Sequence, residues 1–198
     1  MAARTVAGQS SSAWTTMDIV VVAVIGVVFG LLNSPFGLVY QSFQAAFGPI
    51  GANIFGVFNI SQCLAMFIVR KPGAAFANML INGLVQMLSG NPAGAITLGW
   101  GITQGLGAEL VFGATRYRHF DWKVMFLAGA WANVLSNFWT YGVYGFGDQS
   151  LGILVAGTIL GFFTYGIMSG LIALGIGKAL QASGVLRSFA AGRQGAAR

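Results

Sequence analysis

The stretch IVVVAVIGVVFGLL, residues 19–32, carries no charged or strongly polar side chain. A membrane crossing takes roughly 20 residues, so these fourteen need their flanks, with Asp18 as helix cap on one side and Asn33 on the other. Working outward, the same texture recurs at 50–69, 74–88, 95–114, 124–146 and 151–177. The second, fourth, fifth and sixth blocks are long enough alone, and Pro72 to Gly90 completes the third. The segment from Pro35 to Phe47 is too short to cross and reads as a connection. The pattern predicts an all-α integral membrane protein of six transmembrane helices.

Composition agrees. Of 198 residues 56% are hydrophobic and 7% charged, with a mean hydropathy of +0.76, against about 25% charged in soluble domains. A soluble enzyme is excluded. Cys63 is the single cysteine and cannot form an internal disulfide. One cysteine with one histidine cannot assemble a zinc site of three or four protein ligands.

The ten basic residues partition completely in this six-span reading. Arg4 precedes span one, Arg70 and Lys71 lie between two and three, Arg116, Arg118 and Lys123 between four and five, and Lys178, Arg187, Arg193 and Arg198 after six. The opposite connections carry one charge, Asp148. Basic loops face the cytoplasm, which predicts that both N- and C-termini are cytoplasmic. The domains then are a cytoplasmic tail at 1–16, a single six-helix membrane domain at 17–178 and a basic cytoplasmic tail at 179–198. The net charge of +6 follows from topology and anionic lipid, so no nucleic-acid partner is implied. Arg4 before an apolar stretch mimics a signal peptide, but no small-residue cleavage pattern follows, and the segment reads as a retained first helix.

Energy-converting chemistry is absent from the sequence. Gly177-Lys178 lacks the earlier phosphate-loop glycine, since position 172 is isoleucine, and Ala179 stands where Ser or Thr would follow. His119 sits in a loop with Arg118, Phe120 and Asp121, without a nucleophile and orienting group. No catalytic residue, cofactor or metal is assigned. The chain is expected to be a binding subunit without its own ATPase site.

Polar faces mark the recognition candidates. Asn78, Asn82 and Gln86 recur at four-residue steps on span three, and Asn133, Asn137, Tyr141 and Tyr144 share a face of span five. Such stripes turn from lipid, toward either a ligand or a hydrogen-bonding neighbour helix. By depth, Asn82, Gln86, Asn137, Tyr141 and Tyr144 converge on the outer half. Span four adds Trp100 and Gln104, and span five adds Trp139, which an interfacial aromatic belt explains equally well. Rings stacking on a flat heterocycle, with amides reading its edge, would suit this set. The aromatic connection holding Phe36, Tyr40, Gln41, Phe43, Gln44 and Phe47 reads as a lid. Glu109 is deeper, about 10 Å along the helix from Arg116, where structural use competes with ligand contact. Gly26 and Gly30 in the otherwise apolar first span are the candidate partner-docking surface.

Three further stretches carry a resemblance. Arg70-Lys71-Pro72-Gly73-Ala74-Ala75, Gly90-Asn91-Pro92-Ala93-Gly94, and Gln104-Gly105-Leu106-Gly107-Ala108-Glu109 followed by Ala114-Thr115-Arg116 resemble the YkoE family. These are substrate-binding S components of energy-coupling-factor (ECF) transporters for thiamine and its hydroxymethylpyrimidine precursor. The resemblance implies a multi-pass protein of a prokaryotic plasma membrane. It implies thiamine or a related small molecule as ligand, and a T-component membrane protein with cytoplasmic ATPase subunits as partners. It places the ligand cavity in the outer halves of the helices under the first external connection. Hydroxymethylpyrimidine or another vitamin remains an alternative, as does a structural or assembly subunit of a membrane complex.

Overall fold

Thr15 opens the first helix. Its hydroxyl accepts the Asp18 N–H at 3.3 Å while Asp18 Oδ2 accepts the Thr15 N–H at 2.9 Å, a reciprocal capping box. Asp18 is therefore in the first turn, not at the cap position expected for it. The computed structural model describes residues 13–195, which form helices and connections with no strand. Arg4 and Arg198, and most of the expected N-terminal tail, lie outside the described residues.

Helix α1 (Thr16–Ala52) overturns the expected connection: the chain stays helical past Asn33 and Pro35. Proline removes one N–H from the ladder, and polar side chains can compensate the freed backbone in a membrane helix. Ser34 Oγ donates to Gly30 O at 3.1 Å beside it. The kink comes at Gly48, whose φ of 55° suits glycine and whose place before Pro49 disfavours helical geometry.

The expected second span is broken. After Ala52 come an irregular link, a 3₁₀ turn (Gly56–Asn59) and α2 (Ile60–Val69), all ten residues of which are buried. A broken helix in hydrocarbon needs partners for its freed carbonyls. Thr164 Oγ1 donates to Asn53 O at 2.6 Å, Asn33 Nδ2 to Phe58 O at 3.3 Å, and Ser169 Oγ to Gly56 O. Neighbouring helices thus supply what the break removes.

The later blocks are helical close to their expected limits: α3 (Ala74–Leu88), α4 (Ile96–Ala114), α5 (Trp122–Val143) and α6 (Leu151–Tyr165). A π-helical segment (Gly166–Leu171) joins α6 to α7 (Ile172–Ala182), and a short α8 (Ala190–Gly195) follows. Among the described residues, two continuous stretches are long and apolar enough to cross a membrane, 16–52 and 151–182, with mean hydropathies of 2.4 and 1.9. Val24, Leu31, Ile159 and Phe163 are exposed on them, as lipid-facing side chains would be.

Gly26 and Gly30 are buried against α3. A Cβ at Gly30 would lie 2.7 Å from Val85 Cβ, and one at Gly26 would lie 3.0 Å from Asn78 O. The glycines therefore bring α1 onto α3 and do not present an outward docking face. Sequence spacing identifies a close approach without saying to which helix.

One end of the bundle gathers the basic connections. Lys71 Nζ pairs with Asp18 Oδ2 at 2.7 Å, and Trp14 Nε1 donates to Pro72 O at 3.2 Å. The Arg70 guanidinium lies over the Phe67 and Phe120 rings, 5.0 and 4.6 Å from their centroids. At the other end Ser34 meets Ser89 at 2.5 Å, and Gly37 leaves room for the Asn91 amide.

Candidate functional site

Between α1, α3, α4 and α5, with Tyr165 closing the α6 side, lies a narrow cleft. It is lined by Gln86, Trp100, Gln104 and Asn137 from the sequence-predicted set, together with Tyr40, Phe58, Asn91, Asn133 and Thr140. None of its lining side chains carries a formal charge.

The aromatic wall is built around Trp100. Its Nε1 donates to Thr140 Oγ1 at 2.9 Å, and its ring meets Tyr40 edge-on at 5.4 Å and stacks with Tyr144 at 6.2 Å. Tyr40 comes from the helical extension of α1 read from sequence as a lid, and also meets Phe58 edge-on at 5.7 Å. The extension thus contributes to the wall of the cleft.

Two runs of amides approach from opposite sides. On one, Asn91 Nδ2 donates to Gln86 Oε1 at 2.9 Å, Gln86 Nε2 to Asn82 Oδ1 at 2.7 Å, and Asn82 Nδ2 to Ser61 Oγ at 3.1 Å. On the other, Asn137 Nδ2 donates to Asn133 Oδ1 at 3.3 Å and Asn133 Nδ2 to Asn53 Oδ1 at 2.8 Å. Gln104 differs from all of these. It is 6% exposed, and its side-chain amide hydrogen-bonds to no described residue.

Other predicted residues lie elsewhere. Asn82 is wholly buried behind Gln86 and supports it. Tyr141 OH accepts from Asn53 Nδ2 at 3.1 Å and contacts Thr158 Oγ1 at 3.2 Å, which holds it between α5 and α6, outside the cleft lining. Tyr144 lines a second, more open cleft with Gln41, Gln44, Gly48 and Phe146. Trp139 Nε1 donates to Ile96 O at 3.1 Å and its indole packs over Gly99, so this ring belongs to the α4–α5 contact and not to the cleft. Its helical phase, one residue from Thr140, turns it outward.

Glu109 is engaged at the basic end. Oε1 accepts the Ala75 and Phe76 N–H groups at 2.8 and 3.3 Å, capping α3 from a neighbouring helix, and Oε2 accepts from Tyr117 OH at 3.0 Å. Burial and then the Glu109 charge push the Tyr117 phenol up to about 12, which keeps it a donor. The carboxylate is not among the residues lining the cleft.

Sequence reading missed Asn53, and gave Asn91, Asn133 and Thr140 no place in the site. Asn53 is one of three buried amides, with Asn59 and Gln62, in the apolar block 50–69, and amides within so apolar a stretch were the available signal.

The fold and cleft have counterparts. Residues 17–135 match a family described as the permease component of an ABC-type cobalt transport system. The chain is 34% identical over 182 residues to the putative HMP/thiamine permease protein YkoE of Bacillus subtilis (strain 168), covering 91% of this chain and 92% of that one. It superposes with a TM-score of 0.87 on a crystal structure described as an S-component of an ECF transporter, at 34% identity, over 92% of this chain and 93% of that one. With the sequence stretches at 70–116 and the whole helical fold in agreement, the chain belongs to the YkoE family of membrane S components of ECF transporters.

Proposed function

We propose that this chain binds thiamine from outside the cell, in the cleft around Trp100, for ATP-driven uptake by a T component and cytoplasmic ATPases. The observation carrying this reading is a pair of features in one cleft: an aromatic wall and the unused amide of Gln104. A ring can stack on the wall, while amides address the polar edge of an aminopyrimidine. The lining has no imidazole, thiolate or carboxylate to bind a divalent cation, so it suits an organic molecule better than a cobalt ion.

The proposal includes six crossings with both termini cytoplasmic, the membrane domain at 17–178 and short tails on either side. It is supported by the contacts that bring Asp18, Arg70, Lys71 and the 116–121 connection to one end. No lining residue is charged, which favours neutral hydroxymethylpyrimidine as a second reading, since a desolvated cation would have only the rings to face. Calorimetry of detergent-purified protein with each compound tests both readings. Saturable binding of thiamine without partner proteins is expected. Tight binding of hydroxymethylpyrimidine alone would select the second reading, and binding of neither would remove both.

A further inference from the structure

We propose that the amide chains fix the hydrogen-bond polarity of the cleft, so that Asn137 presents an acceptor only and selects an aminopyrimidine over its oxo counterpart. This rests on reading the cleft as the ligand site.

Each chain ends on a backbone group that admits one orientation. Asn53 Nδ2 lies 2.8 Å from the Pro49 carbonyl, which can only accept, while the Asn53 backbone N–H goes to Ile50 O. Asn53 must therefore turn its Oδ1 to Asn133, which donates to it at 2.8 Å and turns its own Oδ1 to Asn137. Asn137 divides its two amide hydrogens between Asn133 Oδ1 and Thr158 Oγ1, each at 3.3 Å. Thr158 in turn donates to Leu154 O at 2.9 Å, so it accepts from Asn137. What remains for the cleft is the Asn137 Oδ1.

The opposite chain is anchored by a donor. Asn91 Oδ1 accepts the Ala93 N–H at 2.9 Å, so Asn91 presents Nδ2 to Gln86, and the Gln86 amide is oriented in turn. Gln104, with no partner, can rotate to suit a ligand edge. Discrimination therefore falls to Asn137. An amino group opposite Oδ1 donates to it. An oxo group there opposes two acceptors that have lost water, a penalty sites built around a donor use to reject analogues.

Asn53 does not line the cleft, so it acts as a positioning residue two hydrogen bonds from Asn137. Gly161 of α6 leaves space beside the Asn53–Asn133 hydrogen bond, and any Cβ there would overlap the side-chain oxygens of both residues.

The test uses the detergent-purified full chain with thiamine and oxythiamine, in which oxo replaces the ring amine. Wild type is expected to bind thiamine at least tenfold more tightly. Asn53→Ala frees Asn133 and Asn137 to flip, and the ratio should fall below threefold. A merely structural role would weaken both ligands equally and leave the ratio intact. Asn133→Leu removes the acceptor that orients Asn137 and should lower the ratio too, providing a second variant should Asn53→Ala fail to fold. Equal wild-type affinities, or an unchanged ratio in either folded variant, overturn the inference. Binding of neither ligand by wild type instead overturns the reading of the cleft, and the inference with it.

Discussion

Trp100 Nε1 donates to Thr140 Oγ1 at 2.9 Å, tying α4 to α5 and fixing the indole between Tyr40 and Tyr144. Thr140 is itself held by its hydrogen bond to Ser136 O at 2.9 Å, so the indole orientation is set by the α5 backbone. On the proposed reading, a ligand in the cleft would meet a ring whose position is already determined, which would lower the ordering cost of binding.

Trp100→Ala should therefore weaken thiamine binding at least tenfold, about 1.4 kcal/mol. Isothermal titration checks it. Affinity within twofold of wild type would remove the indole from the site.

Gln104 separates binding from stability because its amide serves no described residue. Gln104→Leu should cost at least tenfold in affinity, yet leave the thermal midpoint within about 2 °C, the shift that a change below 1 kcal/mol produces in a chain of this size. Gln86→Leu, which strands Asn82 and Asn91, should lower both quantities. A fall in midpoint for Gln104→Leu with intact affinity would reverse this assignment.

Gly30 has no room for a side chain, with Val85 Cβ 2.7 Å from a built Cβ. Gly30→Ala should destabilise by about 1–3 kcal/mol through overpacking. The double change Gly26→Leu and Gly30→Leu should lose ligand binding and thermal stability together, rather than assembly alone. Thermal unfolding monitored in detergent decides this, and a fully stable double variant would contradict the inward placement.

Glu109 caps α3 and receives Tyr117, both at the basic end. Glu109→Gln keeps an acceptor for the α3 N–H groups, so thiamine affinity should stay within about threefold, under 1 kcal/mol. Glu109→Ala removes the cap and should cost about 1 kcal/mol of stability. Abolished binding in a stable Glu109→Gln protein would show that the carboxylate belongs to ligand recognition.

Much of the site was legible because amides in an apolar sequence have few options. Gln86, Trp100, Gln104 and Asn137 could be selected by helical period and depth, and all line one cleft. Trp139 and Tyr141 passed the same filter and lie outside it, because period gives relative angles along one helix and not the rotation of that helix about its axis. Tyr40 was assigned to a connection, since the thirteen residues from Pro35 to Phe47 are too few to cross a membrane on their own.

The sequence alone determined the all-helical membrane class and the faces holding its polar groups, because hydrocarbon tolerates neither charge nor unpaired backbone. Only the tertiary structure decided that the second apolar block breaks at Asn53, that Gly26 and Gly30 turn inward, and that Glu109 caps a neighbouring helix. Lipid and protein interior are equally apolar, so hydropathy cannot distinguish a packed helix face from a lipid-facing one. The partners of Asn53 lie on three helices, and α5, supplying Asn133 and Tyr141, comes about 80 residues later, a meeting that folding creates.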